Sequence, residues 1–226
     1  MAEQPSPLNV RHVFVAGGTG YIGSRLLPRL IARGHRVRAL ARRGSESKVP
    51  AGSEVIVGDP FERTTFTDRI PPCDTFVQLL GVPHPSPSKA RQFVEIDLRS
   101  ASESISAARA SGVAHFVYVS VAQPAPVMRA YQNARRQAED LLSASGLTRT
   151  VLRPWYVLGP GHRWPHLLVP AYWFLERLGS TRAAAQRLGL VTLPQMIAAL
   201  VDAVEHPPAR QRLVEVPDIR RAADIK

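Results

Sequence analysis

Strands that alternate with helices along the 226-residue chain predict an α/β fold, a doubly wound parallel sheet. Three observations carry that expectation. Short apolar runs recur at 13–16, 75–80, 115–119 and 148–152, the pattern of strands covered on both faces. Helical stretches lie between runs and stop at glycines, Gly34, Gly112 and Gly146. The first apolar run passes directly into a turn carrying Gly17, Gly20 and Gly23, and an amphipathic segment follows. Right-handed crossovers between parallel strands then place any ligand at the strands' C-terminal ends.

Residues 1–11 are polar with two prolines and read as a loose arm. A strand at 13–16 leads into a helix at 22–33. Strands follow at 36–41, where apolar and polar residues alternate, at 54–57, ending in Gly58-Asp59, and at 75–80. Pro83, Pro85 and Pro87 make 81–88 a loop. A long helix is expected over 90–111, a strand over 115–119 and a helix over 128–144. The sixth strand, 148–152, is stopped by Pro154, and a loop rich in proline and aromatic residues runs to about 165. Residues 166–178 are apolar enough for a helix, broken or kinked at Pro170. A last helix spans 194–205 with Pro194 at its start, and a short strand at 212–216 closes the sheet.

At this length one domain, 1–226, is the expectation, with 155–226 forming a small substrate-side part. The composition, 45% hydrophobic and 21% charged, is that of a soluble globular protein. No run is apolar for long enough to span a bilayer, and the first residues have no secretory pattern. Cys73 stands alone, so an internal disulfide is excluded and a reducing cytoplasm fits. The net charge of +11 comes almost wholly from arginine, Lys48, Lys89 and Lys226 being the only lysines. The arginines are scattered along the chain, which argues against a specific nucleic-acid interface. His84, His162 and His166 lack metal-site spacing and no cysteine is near them, so no metal is expected.

The glycine turn has a chemical reading. Backbone N–H groups at a helix start face outward with partial positive charge and hold a pyrophosphate. Gly17 permits the tight turn, Gly20 the close approach of phosphate, and Gly23 the packing of helix on strand. Thr19, Tyr21 and Ile22 complete the cradle. After the second strand, Arg42 and Arg43 precede the first acidic residue, Glu46. An acid there would bind the ribose 2′-hydroxyl, whereas arginine accepts a 2′-phosphate, so NADP is expected over NAD.

The run Gly17-Gly18-Thr19-Gly20-Tyr21-Ile22-Gly23 resembles the short-chain dehydrogenase/reductase superfamily in its atypical and extended branches, including the NmrA-like and epimerase/dehydratase-like groups. The resemblance covers most of the chain and is strongest over 12–160. It implies a Rossmann domain with Asp59 near the adenine and Leu80-Gly81 along the ribose and phosphates. Gly112-Val-Ala-His-Phe-Val-Tyr-Val-Ser120 resembles the stretch that carries the catalytic serine, and Tyr131-Gln-Asn-Ala-Arg135 stands where the superfamily has Tyr-x-x-x-Lys. The implied roles are proton transfer by Tyr131, substrate orientation by Ser120 and a ribose-binding, tyrosinate-favouring cation at 135. Two residues depart from the pattern: Arg135 replaces lysine, and Asp97 falls where many extended members have asparagine.

Arg153-Pro154 with Gly159-Pro160-Gly161 resembles the segment whose backbone touches the nicotinamide, with Pro154 at the exit of the strand. Trp155, Tyr156, His162 and Trp164 suit a pocket for a flat or apolar molecule or, equally, a small packed cluster, and His84 or His162 could serve as a proton donor. Three functions are compatible with these residues: an NADP-dependent oxidoreductase on a small carbonyl or alcohol, a non-catalytic NADP(H) sensor or accessory protein, and an epimerase or dehydratase. The helices at 90–111 and 128–144 pair subunits in many members, which makes a homodimer an expectation.

Overall fold

A computed structural model describes residues 10–160 and 187–222. Among these, seven parallel strands form the central sheet, in the order β3-β2-β1-β4-β5-β6-β9. They are β1 (His12–Ala16), β2 (Arg36–Ala41), β3 (Glu54–Val57), β4 (Thr75–Gln78), β5 (His115–Val119), β6 (Thr148–Arg153) and β9 (Gln211–Glu215). The remaining two strands, β7 (Tyr156–Leu158) and β8 (Leu190–Thr192), pair in a separate parallel ribbon.

The strand alternation sorts the core by residue type. Phe14, Phe76 and Phe116 are in register on adjacent strands. Their rings lie 5.1 Å apart at each step, and Phe66 joins at 6.0 Å. On the other face Val15, Val77 and Val117 stand in register, and Leu26, Leu27 and Leu30 of α1 (Gly23–Ala32) pack there with Met196 and Leu200 of α5 (Leu193–Glu205). The aromatic face is covered by Ile105, Ala107 and Ala108 of α3 (Arg99–Ala110) and by Ala138 and Leu142 of α4 (Arg129–Ala144). Small alanines on these helices make room for the phenylalanine row. A closing helix, α6 (Val216–Arg221), buries Val216 and Ile219 beside α5.

The expected elements are present with informative differences. The last strand joins the sheet at its edge beside β6, and α5 begins with a capping box between Thr192 and Gln195. Strand β4 stops at Gln78 because Leu79 and Leu80 already pack against Gly17 of the neighbouring turn. The helix expected over 90–111 starts as α2 (Ala90–Gln92), widens into a π-helical turn at Phe93–Leu98 and resumes as α3. Such a turn re-aims the side chains it carries. Here it carries Asp97, which is buried. The β7–β8 ribbon and α6 escape sequence reading, being too short to show a period. The helix expected over 166–178 lies outside the described residues. Among the described residues no helix is long and apolar enough to cross a membrane.

His115 opens β5 fully inside the protein, its Nε2 2.9 Å from the Thr150 hydroxyl of β6, with no hydrogen-bond partner at Nδ1. Burial pushes its pKa down from 6.5 to about 4, and the Arg11 charge adds to the effect. Above the ordinary histidine range the neutral ring costs nothing in either state. As pH falls from about 6.5 towards 4, the unfolded chain takes up a proton that the folded chain refuses. Stability therefore drops across that window, by up to about 3 kcal/mol. Urea unfolding at pH 7 and pH 4.5 should show the loss, and His115→Gln should show a smaller one; equal slopes in the two proteins would remove His115 as its source.

Candidate functional site

The strand order fixes the layout of the site. The loops that follow β2 and β3 lie at one end of the crevice, the glycine turn after β1 and the turn after β4 at its middle, and the loops after β5 and β6 at the other end. These loops enclose a cavity of about 930 Å³, within the usual range for a small-molecule or cofactor site.

At the middle, Gly17 has φ +89°, and its Cα packs so closely on the next loop that a Cβ would come within 2.9 Å of Leu80 N. A Cβ on Gly23 would overlap the Gly17 carbonyl, so α1 begins tucked under the turn. A Cβ on Gly20 would meet only the Gly17 carbonyl, at 3.2 Å, which leaves this backbone bare towards the cavity. Ile22 gives α1 no side-chain cap, and the first turn of α1 has no acidic residue. The N–H groups of Ser24 and Arg25 already donate to the carbonyls of Gly20 and Ile22, so an anion would meet the backbone of the turn that precedes them. Thr19, Tyr21 and Ile22 line the same wall, and a Cβ on Gly159 would overlap the Tyr21 hydroxyl.

At the β2 end the wall is formed by Leu40, Arg42, Ser45, Pro60 and Phe61. Arg42 is on the wall, but Arg43 is exposed away from it. Among the described residues no carboxylate lines the cavity, and Arg42 is its one guanidinium. Asp59 is not on the wall either: its carboxylate accepts the Phe61 N–H at 2.9 Å and braces its own turn. Its neighbours Pro60 and Phe61 present the contact surface instead.

The turn after β4 is held from behind. Asp97, carried by the π-helical turn, accepts the Val82 N–H at 3.0 Å through Oδ2. Its Oδ1 lies 2.5 Å from Nη2 of Arg135. Arg135 Nη1 donates to the Val119 carbonyl at 2.9 Å and to the Tyr118 hydroxyl at 3.3 Å. The ion pair is almost wholly buried and lies directly behind Gly81, where a Cβ would overlap the guanidinium. Gly81 and Leu80 line the cavity, and the lack of a side chain at 81 also makes room for the ion pair. Burial pushes the Asp97 carboxyl above its usual range, against the pull of Arg135 and the Val82 N–H. Burial also opposes the Arg135 charge, but Tyr131, Tyr118 and Asp97 outweigh it and raise its pKa.

This arrangement corrects two sequence expectations. Arg135 is no part of the cavity wall; its fork is spent on Asp97, Val119 and Tyr118. Ser120 is also off the wall: its hydroxyl donates to Glu139, which further accepts from Gln123 at 3.0 Å and pairs with Arg153. Val121, the next residue, faces the cavity instead. Pro154 is buried behind the wall, its carbonyl accepting the Ala122 N–H at 2.9 Å.

Tyr131 does line the far end. It is half-buried, its ring 4.9 Å from Phe93 and 5.2 Å from the Arg135 Cζ. Burial raises its pKa, and Arg135 offsets only part of the rise. Arg135 does pull towards the tyrosinate, as expected, but burial outweighs that pull and the phenol holds its proton at neutral pH. Trp155, Tyr156 and His84 share this end, joined by residues that sequence reading missed: Val82, Ile96, Val127, Met128 and Leu190. Val127 and Met128 could have been suspected only from their place between a strand end and a helix start. His162 and Trp164 lie outside the described residues. Among the described residues no cluster of histidine, cysteine, aspartate and glutamate could hold a metal.

A parallel sheet of this order with an uncapped glycine turn opening onto the crevice defines a dinucleotide-binding α/β domain. The chain belongs to the NAD(P)H-binding family, which it matches over residues 17–162. It is 29% identical over 168 residues to a 4-hydroxy-2-methyl-3-oxo-4-farnesyl-3,4-dihydroquinoline-1-oxide ketoreductase of Stigmatella aurantiaca, matching 65% of this chain and 50% of that one. It is 26% identical to a ceramide reductase of Caulobacter vibrioides over 92% of this chain and 65% of that one. The chain thus spans from half to two thirds of the length of these relatives. Among solved structures, a short-chain dehydrogenase/reductase superfamily protein of Agrobacterium tumefaciens with bound NAD superposes with a TM-score of 0.65 at 17% identity, covering 90% of this chain and 77% of that one.

The ion pair gives the site's stability test. Asp97→Ala leaves the Arg135 charge buried without its carboxylate and should cost about 3–5 kcal/mol in urea unfolding. Asp97→Ala combined with Arg135→Met removes both charges and should recover part of that loss. A double variant as unstable as the two single losses added together would show that the groups do not act as a pair.

Proposed function

We propose that the chain is an NADP(H)-dependent reductase of a small carbonyl compound. The supporting observation is the division of polar groups along one cavity: Arg42 as the single guanidinium at the β2 end, no carboxylate on the described wall, and a protonated Tyr131 at the far end. The glycine turn would hold the diphosphate, Arg42 the 2′-phosphate, and the Leu80–Val82 backbone the stretch between. NADPH, when bound, supplies a hydride. Tyr131 donates a hydrogen bond to the carbonyl oxygen and polarises it. As the carbon gains hydride, the oxygen takes the Tyr131 proton and an alcohol results; the phenolate is then reprotonated from water. The two relatives named above are reductases, which supports this direction.

A second reading, a non-catalytic NADP(H) binder, draws support from Ser120 and Arg135, both committed to internal partners. The two readings part at turnover. Arg42→Ala should weaken NADPH at least tenfold by calorimetry while leaving NADH affinity within twofold; wild-type protein that binds NADH more tightly than NADPH would remove the 2′-phosphate role. Tyr131→Phe should lower kcat for a carbonyl substrate at least 100-fold with NADPH affinity unchanged. If no carbonyl compound is reduced by a protein that binds NADPH, the non-catalytic reading stands instead.

A further inference from the structure

The wall opposite the glycine turn carries information about the substrate that no relative's chemistry fixes for this chain. Between β5 and α4 the backbone makes a short ledge, residues 125–128, held by one buried side chain. Gln132 accepts the Ala125 N–H at 2.9 Å and donates to the carbonyls of Ala125, at 3.0 Å, and Val127, at 2.5 Å. It is only 3% exposed. The ledge ends at Met128 with φ +59° and ψ +38°, a left-handed conformation that a long side chain adopts only when its surroundings enforce it. Gln132 accounts for the enforcement, and both Val127 and Met128 line the cavity. Val127 is 55% exposed, a large apolar side chain left uncovered at the rim of a site. The same cavity is lined by Val82 and Ile96, which cluster with Met128, and by Trp155 and Leu190. The polar groups at this end are the phenols of Tyr131 and Tyr156 and the His84 ring; among the described residues no lysine, arginine or carboxylate reaches it.

We infer that the clamped Val127–Met128 ledge selects a neutral carbonyl compound with a flat aromatic or long apolar body, seating that body against Met128 and Trp155 while its oxygen meets Tyr131. The physical ground is desolvation. A substrate bearing a diphosphate or carboxylate would lose its water here and meet no lysine or arginine among the described residues, whereas an apolar body gains in proportion to the area it hides. The inference rests on the reductase reading above.

Met128→Asn is the informative variant, because asparagine tolerates the left-handed conformation and the loop keeps its shape while losing its apolar contact. NADPH-dependent reduction of 2-acetonaphthone and of 2,3-butanedione should be compared in the wild type and the variant. The ratio of kcat/KM for the naphthyl ketone over that for the butanedione should fall at least tenfold, with the change in KM, and NADPH affinity should be unaltered. Gln132→Ala, which releases the ledge, should move the ratio in the same direction. Binding of 2-acetonaphthone to the NADP⁺-loaded protein, followed by calorimetry, gives a readout that does not need turnover and should weaken at least tenfold in Met128→Asn. Absence of turnover with this binding difference intact would overturn the reductase reading and keep the ledge. Unchanged ratios and affinities, or a tighter complex with UDP-glucose than with the naphthyl ketone, would overturn the ledge's role.

Discussion

The buried contact between Arg135 and Asp97 is the constraint on which the working face of this molecule depends. It joins four pieces of chain: the end of β5, the turn after β4, the π-helical segment and α4. A charge pair shut away from water is stable only when its remaining donors and acceptors are used. Here the Val82 N–H, the Val119 carbonyl and the Tyr118 hydroxyl take most of that role. The pair also explains its glycine, since any side chain at 81 would occupy the guanidinium's place. The two departures from the resembling pattern, Asp97 and Arg135, are thus a single feature. A lysine ammonium is a compact point charge, whereas the planar fork of arginine can bridge a carboxylate, a carbonyl and a phenol at once. With that fork turned to the interior, the polarity of the cavity is left to the residues of its wall.

The parts of this design that were legible in the sequence are those written in period and punctuation. Strand and helix boundaries followed from apolar runs and from the residues that end them, and the glycine turn announced the phosphate-facing end. What escaped reading depends on contacts far apart in the chain. Nothing near Ser120 says that its hydroxyl meets Glu139, nineteen residues on. Nothing near Gly81 says that Arg135 lies behind it. Asp59 was legible as a candidate for adenine contact, but not the Phe61 N–H that folds back onto its carboxylate. Arg42 and Arg43 look equivalent in sequence, but neighbours on one chain path point differently, and only the first reaches the cavity.

Charge shows the same gap between composition and site. The chain carries a net +11, yet one guanidinium lines the described cavity. Many of the other arginines are committed elsewhere: Arg33 to Glu205, Arg38 to Glu54, Arg153 to Glu139 and Arg212 to Asp202. Such pairs at a surface add little stability individually. Among the described residues the cavity's own charge is sparse, with a single guanidinium at one end and none at the other.

That sparse charge bears on the protonation of Tyr131. A phenol acts as a base only if its anion is stabilised, and Arg135, paired with Asp97 behind the wall, offsets only part of the burial. Burial then decides, and it favours the protonated form of Tyr131. A phenol that keeps its proton can donate a hydrogen bond to an oxygen placed beside it. The ion pair that fixes the β4 turn therefore does two things at once. It shapes the backbone along which a dinucleotide would lie, and it leaves burial, rather than the guanidinium, to set the state of the Tyr131 phenol.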